Sequence, residues 1–151
     1  MSLNQKIAED LKQAMKAKDS VRLSCLRLLR TAMKNLQVEK GHELGDEEIQ
    51  SVISSLIRKG KEAAKEFRAG NREDLAVKEE NEIEVLYGYL PEQLTLDQIE
   101  ENVREIISEL NAKSPKDMGG VMKAAMARMA GRAQGKDVSD IARKLLSASS
   151  A

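Results

Sequence analysis

The spacing of the apolar residues constrains the fold of this chain more than any other feature, because it is helical almost throughout. Apolar side chains recur every three or four residues, as they do along one face of an α-helix. The segment from Ile49 to Phe67 shows this spacing most clearly. No segment alternates apolar and polar residues in the way that indicates a half-buried strand, so the sequence predicts an all-α fold.

Capping residues and glycines divide this pattern into helices. Asp19 and Thr95 are the predicted N-caps of the second and fifth helices, since their side chains accept hydrogen bonds from first-turn N–H groups. Gly41 is predicted to end the second helix and Gly70 to end the third. A left-handed backbone is expected at Gly70, because glycine adopts it at helix C-termini without strain.

The fourth helix is predicted to open at Asn71, with Asp74 three residues later, and to run to Tyr89. Pro91 closes it, since proline lacks an N–H and its ring collides with the preceding turn of a helix. Four helices therefore precede the proline, and we predict an N-terminal four-helix domain over residues 1–90. The stretch around the proline is short enough to serve as a joint between two halves.

Three further helices are predicted in a C-terminal domain over residues 95–151. Ser114 opens the second of them, with Pro115 in the first turn, where proline is tolerated. A stretch that contains two glycines, residues 131–136, separates it from the last helix. The tail after Leu146 is rich in Ser and Ala and is expected to fray.

The composition narrows the functional class. Charged residues make up 33% of the chain and apolar residues 41%, a balance that favours a folded domain over a disordered tail. Phe67, Tyr87 and Tyr89 are the only aromatic residues. The chain therefore lacks the aromatic platform on which single-stranded nucleic acid usually stacks.

Cys25 is the single cysteine, so neither an intrachain disulfide nor a multi-cysteine zinc site is available. A reducing compartment is the simpler interpretation. The N-terminus lacks the apolar run of a signal peptide, and no apolar stretch is long enough to cross a membrane. We therefore expect a cytoplasmic protein that has no membrane partner.

The net charge of zero conceals three blocks of opposite sign. Residues 1–70 carry a net charge of +4, residues 71–111 a net charge of −9, and residues 112–151 a net charge of +5. A basic block can hold a polyanion, and an acidic block repels one. Alternatively, the blocks pair with one another inside the protein, and their charges alone leave both interpretations open.

The signals that suggest catalysis or metal binding fail on inspection. Residues 131–136 superficially match a phosphate-binding P-loop, but the stretch is too short and follows a predicted helix instead of a strand. His42 is the only histidine, which excludes a two-histidine zinc motif. Cys25 lies among leucines and is interpreted as a buried hydrophobe, and the acidic cluster in residues 79–84 as a solvated helix face. No catalytic residue, metal ligand or cofactor is predicted.

A basic surface around the glycine-containing stretch is the remaining candidate site. Glycine lets a backbone approach a phosphate closely, and the start of the helix that follows favours an anion. The predicted nucleic-acid-binding residues are Lys123, Arg128, Gly131, Arg132, Gly135, Lys136, Arg143 and Lys144. In the alternative interpretation, which stays open, the glycines only permit a tight turn and the basic residues only solvate it.

Several motifs, spread over essentially the whole chain, resemble one protein family. They lie in residues 3–19, 22–27, 89–94, 118–122 and 131–136. The most specific are the run Tyr-Leu-Pro-Glu-Gln-Leu and the turn Gly-Arg-Ala that is soon followed by Gly-Lys. On these motifs the chain resembles the YqeY family. Its C-terminal half is similar to the tail domain of the B subunit of glutamine-dependent aminoacyl-tRNA amidotransferase.

The resemblance implies an all-α protein with an N-terminal helical domain and a three-helix C-terminal domain that contacts the body of a tRNA. In the amidotransferase, glutamine hydrolysis and acceptor-end activation take place outside this tail, so a free-standing relative is not expected to be a stand-alone enzyme. The homology label is carbon–nitrogen ligase activity with glutamine as amido-N-donor. Gly120 stands where a Lys is common and Gln134 where an Asp is common, and the first departure removes a candidate phosphate contact.

Two functions follow from this reasoning. The leading hypothesis is tRNA binding through shape and backbone contacts. The alternative is a helical protein-interaction adaptor that binds no nucleic acid, in which the first four helices and the methionine-rich sixth helix dock a partner. An aminoacyl-tRNA synthetase or an amidotransferase component is the partner class expected in that case.

Overall fold

The computed structural model describes residues 1–149 and confirms the all-α prediction. Over this range the chain forms seven α-helices and no strand. A 3₁₀ turn, Pro115–Asp117, precedes the sixth helix. The helices are α1 (Leu3–Ala17), α2 (Ser20–Lys40), α3 (Asp46–Ala69), α4 (Glu73–Tyr87), α5 (Leu96–Leu110), α6 (Met118–Arg128) and α7 (Gly135–Ser149).

The chain folds as two compact units, Met1–Pro91 and Glu92–Ala151, and α1–α4 belong to the first unit. The core of the first unit is mainly aliphatic, and much of it comes from the apolar stripes of α2 and α3. Each such side chain stabilises the fold by about 1.5–3 kcal/mol when it is fully buried. The largest fully buried members are Ile7, Leu26, Leu29, Ile49, Ile53 and Ile57.

The structure confirms the predicted N-caps of α2 and α5. The Asp19 Oδ1 atom accepts a hydrogen bond from the Arg22 N–H at 3.2 Å. Thr95 and Gln98 form a reciprocal capping box at the start of α5. Gly41 ends α2 in the left-handed conformation, with φ 75°. Each of these caps satisfies backbone groups that a helix end leaves without intrahelical partners.

Gly70 ends α3, as predicted, but the left-handed conformation expected there and the predicted opening of α4 at Asn71 are wrong. Gly70 has φ −90°, and the left-handed residue is Asn71, with φ 61°. The reversal falls one residue later because the Arg72 N–H donates to the Phe67 carbonyl at 2.8 Å, which closes the turn around an asparagine that tolerates this conformation. Asn71 is therefore not the N-cap of α4. Arg72 occupies that position, and its side chain bonds to the Asp74 carboxylate instead of capping the helix.

α4 ends at Tyr87, two residues before the predicted end at Tyr89. The Tyr89 N–H donates to the Leu86 carbonyl, three residues back, at 3.1 Å, and this tighter turn leads the chain out of the α-helix. The Tyr89 side chain is buried, and its hydroxyl donates to the Asp10 carboxylate at 2.6 Å. Burial, together with that carboxylate, raises the pKa of Tyr89. The contact fastens the end of the first unit to α1.

The second unit packs α5, α6 and α7 around a separate core of aliphatic residues and methionine. Methionine suits this position, because its flexible side chain fills irregular space. The other methionines of α6 lie partly buried against the same core. The largest fully buried members are Ile99, Val103, Ile106, Val121, Met129 and Leu146.

Two predicted helix boundaries in the second unit need correction. Ser114 and Pro115 begin the 3₁₀ turn, so α6 itself starts only at Met118. α7 continues to Ser149, and Leu146 is fully buried, so the chain does not fray directly after Leu146. The last part of the predicted frayed tail, residues 150 and 151, lies outside the described residues.

Candidate nucleic-acid interface

The turn between α6 and α7 is held by a segment from the start of the second unit. Gly131 lies in the left-handed region, with φ 73°, where a side chain would introduce strain. Its carbonyl accepts a hydrogen bond from Gln93 Nε2 at 2.7 Å. The next carbonyl, that of Arg132, accepts one from the Leu94 N–H at 2.8 Å. These two bonds fix the path of the backbone into α7.

The start of α7 offers hydrogen-bond donors beside this turn. The first N–H groups of any α-helix have no intrahelical partner, and the helix dipole makes that end positive. Gln134 precedes the helix, and its carbonyl accepts from the Val138 N–H at 3.2 Å. Its side-chain Nε2 is buried and has no hydrogen-bond partner among residues 1–149. One further donor therefore lies unused next to the helix start.

Two of the predicted basic residues lie at this helix start, and a third lies on α6. Arg132 is in the turn, and Lys136 is in the first turn of α7. Lys123 lies on α6, one turn before Met126. The Met126 side chain reaches the first residue of α7, since its Cε atom is 3.9 Å from the position that a Cβ on Gly135 would take. All three cations are exposed, and none of them forms an ion pair within the described part of the chain.

Arg128 is engaged with α5. Its guanidinium lies 2.7 Å from the Glu109 carboxylate and 3.4 Å from the Glu105 carboxylate. Arg128 and Lys123 are five positions apart, which corresponds to about 140° around the axis of α6. The predicted cluster is therefore divided, and Arg128 faces acidic side chains of α5.

Arg143 and Lys144 lie farther along α7, in a mixed-charge environment. The Arg143 Nη1 atom is 3.7 Å from Asp140 Oδ1. Lys144 borders a surface depression of about 290 Å³ between α5 and α7. A phosphate that approaches Lys144 is repelled by the acidic residues of that depression, which makes Lys144 the weakest of the predicted contacts. Those residues are Asp97, Glu100, Asp137 and Asp140.

Cys25 is buried, as predicted, with 2% of its surface exposed. Its thiol donates to the Glu82 carbonyl, with the Sγ and oxygen atoms 3.4 Å apart. Burial, reinforced by the carboxylates of Glu82 and Glu79, raises the pKa of Cys25 to about 12. The thiolate is the nucleophilic form, so this environment opposes nucleophilic chemistry at Cys25.

The other features that suggested a metal or membrane site have simple environments. His42 is exposed in the loop before α3, with its Nδ1 atom 2.7 Å from the Glu43 carbonyl oxygen. Among the residues that the structure describes, no group of three or more His, Cys, Asp and Glu side chains is placed to hold a metal ion. No helix within residues 1–149 has both the length and the apolar character needed to cross a membrane.

Sequence reasoning missed Gln93 and Leu94 as parts of this site. Both belong to the run around Pro91 that the sequence predicts to be a joint between halves, and each bonds to a residue 38 positions away. No local pattern indicates such a pairing. The only available signal was that both segments carry motifs of the same family.

The fold and the site define a class of protein: all-α, with two helical units, the second of which presents cations around a glycine turn at a helix start. The sequence matches the profile of the YqeY family, described as Yqey-like protein, over residues 4–146. The chain belongs to this family, as its motifs predicted.

Relatives from yeasts carry the name "Altered inheritance of mitochondria protein 41, mitochondrial". The protein of Lachancea thermotolerans is 33% identical over 112 residues, which are 72% of this chain and 60% of the relative. That of Saccharomyces cerevisiae (strain YJM789) is 34% identical over 109 residues, 70% of this chain and 58% of the relative. That of Kluyveromyces lactis is 33% identical over 113 residues, which are 72% of this chain and 60% of the relative. The chain thus spans about three fifths of the length of these relatives.

Proposed function

We propose that this protein binds the backbone of folded tRNA through the start of α7. The observation that carries the proposal is that Arg132 and Lys136, at that helix start, and Lys123, on α6, are exposed and form no ion pair within residues 1–149. The choice of tRNA rests on the similarity of the C-terminal half to the amidotransferase tail. The proposed interface consists of Lys123, Arg128, Gly131, Arg132, Gly135, Lys136, Arg143 and Lys144.

Each group around the turn has a separate role in holding a phosphate. The first N–H groups of α7 donate to phosphate oxygens, and the positive end of the helix dipole attracts the negative charge of the phosphate. Gly135 leaves that backbone uncovered, because it has no side chain. The Arg132 guanidinium can donate to two phosphate oxygens at once, whereas Lys136 acts as a compact charge. Contacts of this kind follow the shape of the RNA backbone and do not read its bases.

Arg128 and Arg143 belong to the periphery of the proposed interface. Their ion pairs with Glu109 and Asp140 involve exposed carboxylates. Exposed pairs of this kind contribute about 0–1 kcal/mol, so their exchange for a phosphate costs little. Both arginines can therefore add to the affinity without being its main source.

We propose an accessory role, without a cofactor, instead of a stand-alone amidotransferase activity. Carbon–nitrogen ligase chemistry with glutamine requires an activated nucleophile, and the Cys25 thiol is buried with a pKa of about 12. The proposed compartment is the cytoplasm, where a reducing environment suits a lone free cysteine. Glutaminase activity in the purified chain would contradict this assignment.

Salt dependence tests the proposed function directly. We expect the affinity of the chain for total tRNA to fall by about tenfold or more between roughly 50 and 200 mM salt, because each phosphate contact releases condensed counterions. Filter binding or gel shift at several salt concentrations measures this slope. If the chain fails to bind tRNA even at the lowest salt concentration, the proposed function is wrong.

Gln134→Asp should separate stability from binding. A carboxylate at the N-cap accepts hydrogen bonds from the first turn of α7 and replaces the unpartnered amide, so we expect a gain of about 0.5–2 kcal/mol in the free energy of unfolding. The same negative charge lies beside Arg132 and Lys136, and tRNA binding should weaken several-fold. Thermal melting and gel shift measure the two effects.

Gln134→Ser is the matched control for this prediction. Serine also caps a helix but brings no charge, so it should raise stability and leave tRNA affinity within about twofold of the unsubstituted chain. An aspartate variant that binds tRNA as tightly as the serine variant would show that no phosphate lies near the start of α7.

The adaptor alternative is favoured by an apolar depression in the first unit. It has a volume of about 350 Å³ and is lined by Leu28, Leu56 and Leu86, among others. Leu28 is 54% exposed, so a partner that enters the depression can also contact its apolar rim. Pull-down of synthetase or amidotransferase components before and after nuclease treatment distinguishes the two functions, since only an adaptor retains its partner without RNA.

A further inference from the structure

α2 carries an unusual excess of positive charge for a chain with no net charge. Between Ser20 and Lys40 it contains five basic residues and a single acidic one, Glu39. No acidic residue occurs in the nineteen positions between Asp19 and Glu39. The excess belongs to the first unit, whereas the residues of the proposed tRNA interface belong to the second, and none of the functions described above uses it.

Three of these cations form a continuous ridge on the outer face of α2. Arg27, Arg30 and Lys34 are all exposed, and their spacing places them within about 60° of one another around the helix axis. The core residues Leu26 and Leu29 lie to one side of these cations around the helix axis and are fully buried. We call the three cations the α2 ridge. It extends over about 10 Å along the helix.

The α2 ridge has no ion-pair partner within residues 1–149. Arg68, in the same unit, forms ion pairs with two carboxylates. Its Nε atom is 2.8 Å from the Glu73 carboxylate, and its Nη2 atom is 2.7 Å from the Glu80 carboxylate. Glu82 of α4 approaches α2 at Ser24, whose hydroxyl donates to its carboxylate at 3.3 Å. No ion pair between Glu82 and the ridge is found within residues 1–149.

We propose that the α2 ridge is a second contact surface for the phosphate backbone of RNA, in the first unit. The inference rests on the proposed function for the identity of its ligand. RNA duplexes are A-form, and phosphates of one strand follow one another at roughly 3 Å along a duplex axis, so a ridge of this length fits a short run of backbone. Two of its three members are arginines, whose guanidinium groups donate to two phosphate oxygens at once.

RNA fits this surface better than an anionic membrane does. A helix that lies on a membrane buries an apolar face among the lipids. The apolar residues Leu26, Leu29 and Met33 of α2 are buried in the core, so they cannot insert among lipids. α2 also contains no aromatic residue that could anchor in a lipid headgroup layer or stack on a base, so the ridge contacts the backbone alone.

The test neutralises the ridge in the full chain with Arg27→Gln, Arg30→Gln and Lys34→Gln. We expect affinity for total tRNA at low salt to fall about tenfold, and the slope of log Kd against log salt to decrease by about 2, because three phosphate contacts are lost. The control, Lys12→Gln with Lys59→Gln and Lys65→Gln, makes the same change in charge at exposed but scattered positions. Its slope should stay close to that of the unsubstituted chain.

The outcomes separate this inference from the proposed function. Equal slopes for the ridge variant and the control overturn the inference, whether or not substitutions at the start of α7 weaken binding. If the ridge variant loses affinity for tRNA and the substitutions at the start of α7 do not, the inference is supported and the proposed RNA contact at α7 is wrong. If vesicles of anionic phospholipid, or polyglutamate of matched charge, bind as tightly as tRNA and depend equally on the ridge, RNA is not its ligand.

Discussion

Arg132→Glu combined with Lys136→Glu is expected to weaken binding of total tRNA about 100-fold at low salt. The change removes two cations from the start of α7 and adds two carboxylates, so the local potential changes from attraction to repulsion of a phosphate. Both side chains are exposed and have no ion-pair partner in the part of the chain that the structure describes. Gel shift at a fixed low salt concentration measures the loss.

The double substitution should leave the fold intact. Arg132 contributes its backbone, and not its side chain, to the bonds that hold the turn, and a carboxylate in the first turn of a helix suits the dipole. The matched control is Lys113→Glu with Lys116→Glu, which makes the same change in charge before α6, at the other end of that helix. Unchanged affinity in the first variant, or equal losses in both with helicity preserved in circular dichroism, would place the RNA contact elsewhere.

Local chemistry explains why so much of the fold could be predicted from the sequence. Caps such as Asp19 and Thr95 act on backbone groups two or three residues away, so a short window of sequence contains the whole interaction. Gly70 shows where this reasoning stops. Glycine and asparagine both adopt the left-handed conformation, and the choice between Gly70 and Asn71 depends on which N–H closes the turn.

The candidate site was less predictable, because its geometry depends on contacts between distant parts of the chain. Arg128 and Lys123 look equivalent in sequence, yet only Arg128 meets carboxylates, which lie 19 and 23 positions earlier on α5. Helical spacing alone cannot show which residues of one helix face another. The bond from Gln93 to Gly131 is hidden from sequence analysis for the same reason.

The two interpretations of the charge blocks each describe part of the molecule. Acidic residues of the middle block do pair with basic residues outside it, as in the contacts of Glu80 with Arg68 and of Glu109 with Arg128. The α2 ridge and the cations Arg132 and Lys136 form no such pair in the portion of the chain that the structure describes. Because such pairs add little to stability at an exposed surface, the unneutralised cations are the better guide to what the protein binds.

Gly60→Val is expected to lower the free energy of unfolding of the first unit by about 2–3 kcal/mol. Gly60 is buried in the interior of α3, and a Cβ placed on it would lie 3.0 Å from Ile83 Cγ1 and 3.1 Å from Ile83 Cδ1. Glycine inside a helix costs about 1 kcal/mol relative to alanine, so its presence is explained by the close approach of α3 and α4. Valine has a branched Cβ with a single favoured rotamer in helices, and its methyl groups cannot all turn away from Ile83.

Urea unfolding followed by hydrogen exchange of the α3 and α4 amides assigns the loss to the first unit. Gly120→Val in α6 is the matched control, because a Cβ at Gly120 meets nothing within 4 Å, and it should change stability by no more than about 0.5 kcal/mol. In a double-mutant cycle with Ile83→Ala, which removes the crowded atoms, the two substitutions should compensate by about 1 kcal/mol or more. Strictly additive effects would mean that contact with Ile83 is not the reason for a glycine at position 60.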